Sequence, residues 1–173
     1  MRIIAGLARG MPLTVPPGPI TRPTSDRVRE AIFSSLGDRV MGATVLDLFA
    51  GSGALGLEAA SRGARSVTLV ERHRAALAAL ERNVAEFVRR GGTAPVVVRD
   101  DAFRFLKRAG RYDLVLADPP YGKLAQRLLT AGVAADWLVL ESAKREPLVI
   151  GPPWERVREA IYGDTRVSIL KPA

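Results

Sequence analysis

Two kinds of apolar segment alternate along the chain from residue 43 onwards, and this alternation restricts the fold more than any other feature. Continuous apolar runs predict strands, whereas apolar residues spaced three and four positions apart predict helices. Strands that alternate with helices imply an α/β fold with a parallel sheet and right-handed crossovers. Strands are predicted at 44–49, 66–71, 95–99, 112–117 and 137–141, and helices after the glycine turn at 50–56, at 73–90, from Asp101 and at 124–131.

The two ends of the chain follow other patterns. Near the C-terminus, runs at 155–162 and 165–170 flank Gly163-Asp164, a typical hairpin turn, so we expect an antiparallel strand at the sheet edge. Near the N-terminus, residues 2–5 and 13–15 predict a short hairpin, and Thr24 or Ser25 can cap a helix that runs to about Leu36. We expect a single domain over 1–173, with 1–40 as an N-terminal hairpin and helix extension and 41–173 as the core.

Composition excludes several classes of protein. The 173 residues are 47% apolar, which is enough for one domain with a core, and no run approaches the ~18 apolar residues of a membrane helix. The first residues lack the apolar stretch of a signal peptide. The absence of cysteine excludes disulfides and thiolate metal sites, and the single histidine, His73, argues against a histidine metal site or a Ser-His-Asp triad. These features predict a cytoplasmic protein without a metal, and we expect a monomer.

The charge balance favours a polyanionic partner. Lysine and arginine total 26 against 18 acidic residues, which gives a formal charge of +8 and an isoelectric point near 10.7. Neutralisation of phosphates by these side chains would make binding sensitive to salt. An arginine-rich codon bias would produce the same balance without any nucleic acid partner.

A turn after the fourth predicted strand carries the first candidate site. The apolar run 112–117 is followed by Asp118, Pro119, Pro120 and Tyr121, and the prolines end the strand because they lack an N–H. In open parallel sheets, ligands bind at the carboxyl ends of strands. A carboxylate, a carbonyl and an aromatic ring at that position suit a planar base with an exocyclic amino group. The alternative is an ordinary Asp-Pro turn.

A glycine-rich turn after the first predicted strand indicates a cofactor site. Gly51, Gly53 and Gly56 form G-x-G-x-x-G, and Glu71 follows 20 positions after Gly51, as in dinucleotide-binding proteins. Glu71 could accept hydrogen bonds from both ribose hydroxyls. Asp47 favours S-adenosylmethionine over NAD, because its carboxylate could bind an ammonium group and would repel a pyrophosphate. Asp101 could accept from the adenine amine, with the Ala102 N–H near the ring. The predicted cofactor set is Asp47, Phe49, Ala50, Gly51, Ser52, Gly53, Glu71, Arg72, Asp101, Ala102 and Asp118.

These motifs carry a resemblance to a known family. The segment Asp47-Leu-Phe-Ala-Gly-Ser-Gly-Ala-Leu-Gly-Leu-Glu58, together with Asp118-Pro-Pro-Tyr121, resembles the class I S-adenosylmethionine-dependent methyltransferases that modify amino groups of bases. The segments 2–6, 9–10 and 22–33 resemble the RsmD-type 16S rRNA guanine-N2 methyltransferases, and the similarity extends to Glu141. The resemblance implies a Rossmann-like, seven-stranded, mostly parallel sheet with one antiparallel strand and helices on both faces. It also implies methylation of the N2 amine of a 16S rRNA guanine in the small ribosomal subunit or an assembly intermediate, in this family guanine 966.

The expected mechanism assigns roles to the turn residues. The target guanine has to leave its stack to reach a buried methyl group. We expect Tyr121 to stack on it while Asp118 and the Pro119 carbonyl accept hydrogen bonds from the amine, with Pro120 keeping the turn rigid. No strong base is needed, because the attached proton becomes acidic as the methyl group arrives. The predicted RNA contacts are Arg22, Thr24, Arg27, Lys123, Lys144 and Arg145.

Three other functions are compatible with parts of the sequence. A DNA adenine or cytosine amino methyltransferase would use the same turn, although the chain is small and has no separate DNA-recognition domain. An NAD(P)-linked oxidoreductase would use the same glycine motif. A non-catalytic RNA-binding module would explain the charge but not the Asp-Pro-Pro-Tyr turn. The lack of cysteine argues against a C5-pyrimidine methyltransferase, which needs a thiolate nucleophile.

Overall fold

The computed structural model describes residues 1–18 and 24–173, which form one seven-stranded sheet covered by helices. The short turn Gly37–Arg39 is a 3₁₀ helix that continues the first helix. The strands are β1 Thr44–Leu48, β2 Ser66–Glu71, β3 Val96–Arg99, β4 Tyr112–Ala117, β5 Ala135–Ala143, β6 Trp154–Tyr162 and β7 Thr165–Pro172. The helices are α1 Asp26–Leu36, α2 Ala54–Ser61, α3 Arg74–Arg89, α4 Ala102–Leu106 and α5 Leu124–Leu128.

The strand order is β3-β2-β1-β4-β5-β7-β6. Strands β1 to β5 are parallel, and β7 runs antiparallel to both of its neighbours. This confirms the predicted mostly parallel sheet with one antiparallel strand. Along the chain, β2 and β3 are added on one side of β1, and β4 then pairs with the other side of β1. The direction in which strands are added therefore reverses between β1 and β4. Ligands bind at such reversals, outside the carboxyl ends of the strands.

The prediction that the antiparallel strand lies at the sheet edge was wrong. β7 lies inside the sheet, between β5 and β6, and β6 forms the edge. The side chains explain this choice: β7 buries Val167, Ile169 and Leu170, whereas β6 exposes most of its residues, many of them charged. A charged strand suits an edge because its side chains discourage pairing with another chain.

The helices lie in two layers. α1, α2 and α3 pack on one face of the sheet, where the residues that they share with it include Phe33, Leu55 and Leu80. α4 and α5 pack on the other face, where Phe105 and Leu128 contribute to a second apolar cluster. Both faces of the sheet are therefore buried, as expected for strands that are almost continuously apolar.

The N-terminal segment is held against α2 and α3. The predicted hairpin is present only as an isolated bridge between Arg2 and Pro12, supported by a hydrogen bond from the Ile3 N–H to the Met11 carbonyl. Ile3 and Met11 are fully buried in a cluster with Leu57 of α2. Ser25 caps α1 with its hydroxyl, so of the two predicted caps this one is confirmed. Burial of its apolar residues makes this segment part of the core.

Predicted element ends differ from the observed ends by a few residues. β1 ends at Leu48, one residue early, because Phe49 takes a positive φ of 60°. α5 ends at Leu128 where a longer helix was expected, and β5 extends beyond its predicted ends at 137 and 141. Ser142 and Ala143 extend β5 because they pair with β7, a partner that local sequence does not reveal, and Ala135 extends it at the other end by pairing with Tyr112 of β4.

Candidate active site

A pocket of about 600 Å³ opens at the carboxyl ends of the parallel strands. Six acidic side chains line it. Four of them, Asp47, Glu71, Asp118 and Glu141, lie at or near the carboxyl ends of β1, β2, β4 and β5, and Asp100 and Asp101 follow β3. The remaining wall comes mainly from the turn after β1, the start of α4, the turn after β4 and the N-terminal segment, including Thr24 and Val28. The pocket thus combines both sites that the sequence predicted, the glycine turn and the Asp-Pro-Pro-Tyr turn.

Strand register places the four acids on one face of the sheet. Asp47 pairs with Leu69 of β2 and with Leu116 of β4. Glu71 and Asp118 each lie two residues further along, and side chains two positions apart share a face. Ala117 pairs with Leu140, so the next residues along the two strands, Asp118 and Glu141, are neighbours.

Asp47 is buried beneath the pocket, with only 1% of its surface exposed. Its Oδ2 accepts a hydrogen bond from the Gly56 N–H at 2.8 Å. Burial raises the pKa of Asp47 to about 8, and the nearby charges of Asp118 and Glu71 act in the same direction. Without a bound ligand, the Asp47 side chain is therefore mostly protonated at neutral pH, whereas the sequence analysis expected an ionised carboxylate. Bringing an ammonium group close would favour its ionised form.

The glycine turn exposes backbone to the pocket. Gly51 and Gly53 have positive φ values of 58° and 87°, and Phe49 adopts 60°, which is unusual for an aromatic residue. Asn83 of α3 holds the turn, because its amide donates to the Ser52 carbonyl at 2.8 Å. Sequence reasoning missed Asn83, whose only signal is a polar residue on the buried side of a helix. This hydrogen bond from α3 therefore stabilises the turn.

Glu71 organises this turn with both carboxylate oxygens. Oε2 accepts from the Gly51 N–H, and Oε1 accepts from the N–H groups of Arg72 and His73, each at 2.8 Å. A carboxylate offers about four acceptor positions. Two of the backbone bonds fill Oε1, so the one remaining acceptor position is at Oε2. Glu71 can therefore accept a hydrogen bond from one ribose hydroxyl, whereas the sequence predicted that it accepts from both.

The start of α4 forms the other wall. Asp101 caps the helix through a hydrogen bond from the Arg104 N–H at 3.0 Å, and its second oxygen lies 3.4 Å from Nη1 of Arg72. The Phe103 ring meets the Phe49 ring edge-on at 5.9 Å between centroids. The Arg127 guanidinium lies 3.9 Å from the centre of the Phe103 ring. An apolar surface flanked by acids suits an adenosyl group, so the residues present fit the predicted cofactor. Arg127 lines the pocket but was not among the predicted site residues.

The Asp-Pro-Pro-Tyr turn stands at the mouth of the pocket. Pro119 is buried, whereas Pro120 is exposed and Tyr121 is 44% exposed. The Gly122 N–H donates to Oε1 of Glu146 at 2.6 Å, which joins the turn to the segment after β5. From that segment, the Arg145 guanidinium lies 5.9 Å from the centre of the Tyr121 ring. The ring therefore stands at the surface, beside a cation.

Thr24 lies in the pocket and not on the outer surface. Its Oγ1 is 3.0 Å from Oδ2 of Asp118 and 3.1 Å from Oε1 of Glu141. The prediction had assigned Thr24 to RNA contact. Glu141 was not predicted as a site residue, although it ends the fifth predicted strand, and the strand-end argument applied to Asp118 could have found it.

The predicted RNA contacts are separated in the structure. Arg27, Lys123, Lys144 and Arg145 are exposed and do not line the pocket, and Arg22 lies outside the described residues. In residues 1–18 and 24–173, no group of three or more histidine, cysteine, aspartate or glutamate side chains is arranged to hold a metal ion. None of the helices in the described ranges is long and apolar enough to cross a membrane.

Comparison with known proteins gives consistent matches over nearly the whole chain. A family model described as Conserved hypothetical protein 95 matches residues 1–171. Ribosomal RNA small subunit methyltransferase D of Escherichia coli (strain K12) is 47% identical over 180 residues, covering 99% of this chain and 89% of that protein. The protein of the same name from Haemophilus influenzae is 34% identical over 173 residues, covering 94% and 89%. A solved Escherichia coli chain superposes with a TM-score of 0.86 at 34% identity, covering 99% of this chain and 97% of that one.

Proposed function

The chain belongs to the RsmD-type methyltransferase family, and from that premise we propose that it methylates the exocyclic N2 amine of a guanine in 16S rRNA, with S-adenosylmethionine as methyl donor. Its sheet and helices form the Rossmann-like class I methyltransferase fold. The observation that carries the proposal is the Asp-Pro-Pro-Tyr turn, which opens into the same pocket as the glycine turn. Relatives that carry the name ribosomal RNA small subunit methyltransferase D support rRNA as the substrate.

The cofactor would lie between the glycine turn and α4. Glu71 has one acceptor position left for a ribose hydroxyl, Asp101 and Phe103 line the pocket, and Asp47 is buried beneath it. When bound, S-adenosylmethionine supplies an electrophilic methyl group on a sulfonium, whose carbon–sulfur bond breaks as the amine nitrogen bonds to the methyl carbon and releases one proton. Asp47, ionised by the approach of the ammonium group, would hold the methionine end.

The base would enter past Tyr121. Its exposed ring offers a stacking surface for a guanine turned out of its helix. Asp118 and the Pro119 carbonyl would accept hydrogen bonds from the two amine hydrogens. Those bonds turn the nitrogen lone pair away from the ring system and towards the methyl group. Most of the rate then comes from positioning the two reactants, which converts an encounter into a reaction within one complex.

Positive side chains around the turn would bind the phosphates of the RNA. Arg145 lies beside Tyr121, and Lys123 directly follows Gly122, whose N–H is bonded to Glu146. Lys144 and Arg27 are also exposed. A chain with a formal charge of +8 is suited to a polyanion of the size of ribosomal RNA. We expect it to act as a cytoplasmic monomer on the small subunit or its assembly intermediate.

The test is transfer of labelled methyl groups from S-adenosylmethionine to small ribosomal subunits isolated from cells that lack this gene, followed by nucleoside analysis and mapping. Label in N2-methylguanosine of 16S rRNA is expected, and the mapped position tests guanine 966. Label in N6-methyladenosine or N4-methylcytosine would overturn the choice of base and atom. No label in subunits, naked rRNA or DNA would overturn the proposed function.

A further inference from the structure

Glu141 is a second carboxylate beside Asp118, and the proposed mechanism leaves it without a task. It is only 3% exposed and lines the pocket. The pairing of Ala117 with Leu140 brings the ends of β4 and β5 side by side, so Asp118 and Glu141 follow at adjacent positions. Burial of a carboxylate is costly unless polar partners offset it, and the Thr24 hydroxyl lies within hydrogen-bond distance of Glu141.

Thr24 holds the two acids together. Its single hydroxyl lies 3.0 Å from Oδ2 of Asp118 and 3.1 Å from Oε1 of Glu141. A hydroxyl has one proton to donate, so it serves one carboxylate at a time while in contact with both. Oδ2 of Asp118 and Oε1 of Glu141 therefore both contact the same side-chain oxygen. Two acceptors that share one hydroxyl are placed to contact neighbouring donors of a single base.

The bases differ in the group next to the reactive amine. In guanine, the ring N1–H next to the N2 amine is a donor, so this edge offers donors to two carboxylates. In adenine and cytosine, the ring nitrogen next to the amine carries a lone pair, which a carboxylate repels. Enzymes that act on a flipped base recognise it through this edge.

We propose that Glu141 determines specificity for guanine by accepting the N1–H hydrogen bond, while Thr24 positions it beside Asp118. The inference rests on the proposed function and adds the group that selects the base. Asp118 accepts a hydrogen bond from the N2 amine, as in the proposed function, and Glu141 accepts one from the adjacent N1–H. A site built around two acceptors discriminates strongly against a base that lacks one donor, because a buried carboxylate would then face a lone pair.

The test compares guanine with 2-aminopurine at the target position. 2-Aminopurine keeps the amine but has a bare N1, and small subunits can be reconstituted with 16S rRNA that carries it at the mapped nucleotide. The wild type is expected to prefer guanine in kcat/KM by on the order of 100-fold. Glu141→Gln should reduce this preference at least about tenfold, because its amide NH₂ can donate to the bare N1. Both substrates are compared within each enzyme, so the missing O6 of 2-aminopurine affects wild type and variant alike.

Three further variants separate specificity from folding. Thr24→Val should also reduce the preference by about tenfold, and Thr24→Ser should restore it, because serine keeps the hydroxyl. Glu155→Gln is the matched control: Glu155 is an exposed glutamate of β6 that does not line the pocket, and this variant should behave as the wild type. The affinity for S-adenosylhomocysteine should stay unchanged in all four variants, which would show that the fold and the cofactor site are intact.

The outcomes distinguish the two proposals. A wild type that transfers no methyl group to guanine N2 would overturn the proposed function and this inference together. A wild type that methylates guanine, accompanied by a Glu141→Gln variant whose preference over 2-aminopurine falls less than tenfold, would overturn the role of Glu141 alone. A Thr24→Val variant with wild-type preference would overturn the positioning role of Thr24.

Discussion

Asp47 and Asp118 are two aspartates of one pocket in different surroundings. Asp47 is 1% exposed and accepts a hydrogen bond from the Gly56 N–H, whereas Asp118 is partly exposed beside the Thr24 hydroxyl. Burial of the first favours its neutral form, while the position of the second allows contact with an incoming base. Identical side chains can thus take different tasks because their depths in the sheet differ.

Asp47 makes stability depend on pH. Its pKa is about 8 in the folded chain and 3.8 as an ordinary aspartate, so the folded state keeps a proton that the unfolded state has released. This contribution to stability is fully present below pH 3.8 and is lost as the pH rises through about 8. Asp47→Asn does not titrate, so its free energy of unfolding should rise relative to wild type between pH 4 and pH 8. Urea unfolding at several pH values measures this, and a constant difference would contradict it.

Asp118 is the residue on which transfer depends most. We expect Asp118→Ala to lower kcat for methyl transfer by about 100-fold or more, because the amine loses a charged acceptor in the reacting complex. Affinity for S-adenosylhomocysteine should persist, since the walls formed by Glu71 and Asp101 stay in place. Single-turnover transfer and calorimetric binding test the two parts separately. An active variant would remove Asp118 from the mechanism.

At the scale of elements, the contact between α2 and the strands beneath it shapes the glycine turn. A side chain added at Gly56 would lie 2.2 Å from Cδ2 of Leu69 and 3.0 Å from Oδ2 of Asp47. The missing side chain lets α2 approach the sheet closely enough for its backbone to bond Asp47. The third glycine of the motif is therefore needed for packing, while the first two shape the turn.

Gly56→Ala should therefore destabilise the protein by about 1–3 kcal/mol, although alanine favours a helix. It should also weaken binding of S-adenosylhomocysteine, because α2 and Asp47 move apart. Gly110→Ala is the matched control, since a side chain added there meets nothing within 4 Å. Its stability should change by less than about 1 kcal/mol. Equal stabilities of the two variants in thermal unfolding would refute the packing argument.

At the scale of the whole molecule, buried charges fasten the N-terminal segment to the core. Glu58 of α2 is fully buried and accepts hydrogen bonds from the N–H groups of Ile4 and Ala5. Its carboxylate also lies 3.6 Å from the fully buried guanidinium of Arg29 on α1. Through this network α1 is held near the pocket, so the Thr24 hydroxyl, just before α1, reaches Asp118 and Glu141.

The net charge of +8 leads to a prediction about salt. Affinity for 16S rRNA should fall steeply with salt, and Lys123→Ala, Lys144→Ala and Arg145→Ala should each reduce the slope of log K against log salt by about one. Arg89→Ala is the control, because α3 directly follows the pocket-lining His73 and its 16 residues carry Arg89 about 24 Å away. Filter binding at several salt concentrations measures the slopes. A slope unchanged in all three variants would place the RNA on another surface.

Much of the fold followed from local patterns. The strands 66–71 and 112–117 were predicted with the observed ends, and Asp101 caps α4 as expected. Prolines, glycines and apolar spacing act on the residues nearest to them, so a sequence shows where an element ends. The strand ends were enough to predict that Asp47, Glu71 and Asp118 would line one pocket.

Sequence by itself determined the order of the elements and the resemblance to a methyltransferase family, because both depend on residues close together in the chain. Tertiary structure alone decided the protonation of Asp47, the place of β7 inside the sheet and the contact between Thr24 and Glu141, which are 117 positions apart. Burial and strand order arise only when distant segments pack against each other. The groups inferred to choose the base are therefore found in the folded chain, although each is an ordinary residue of the sequence.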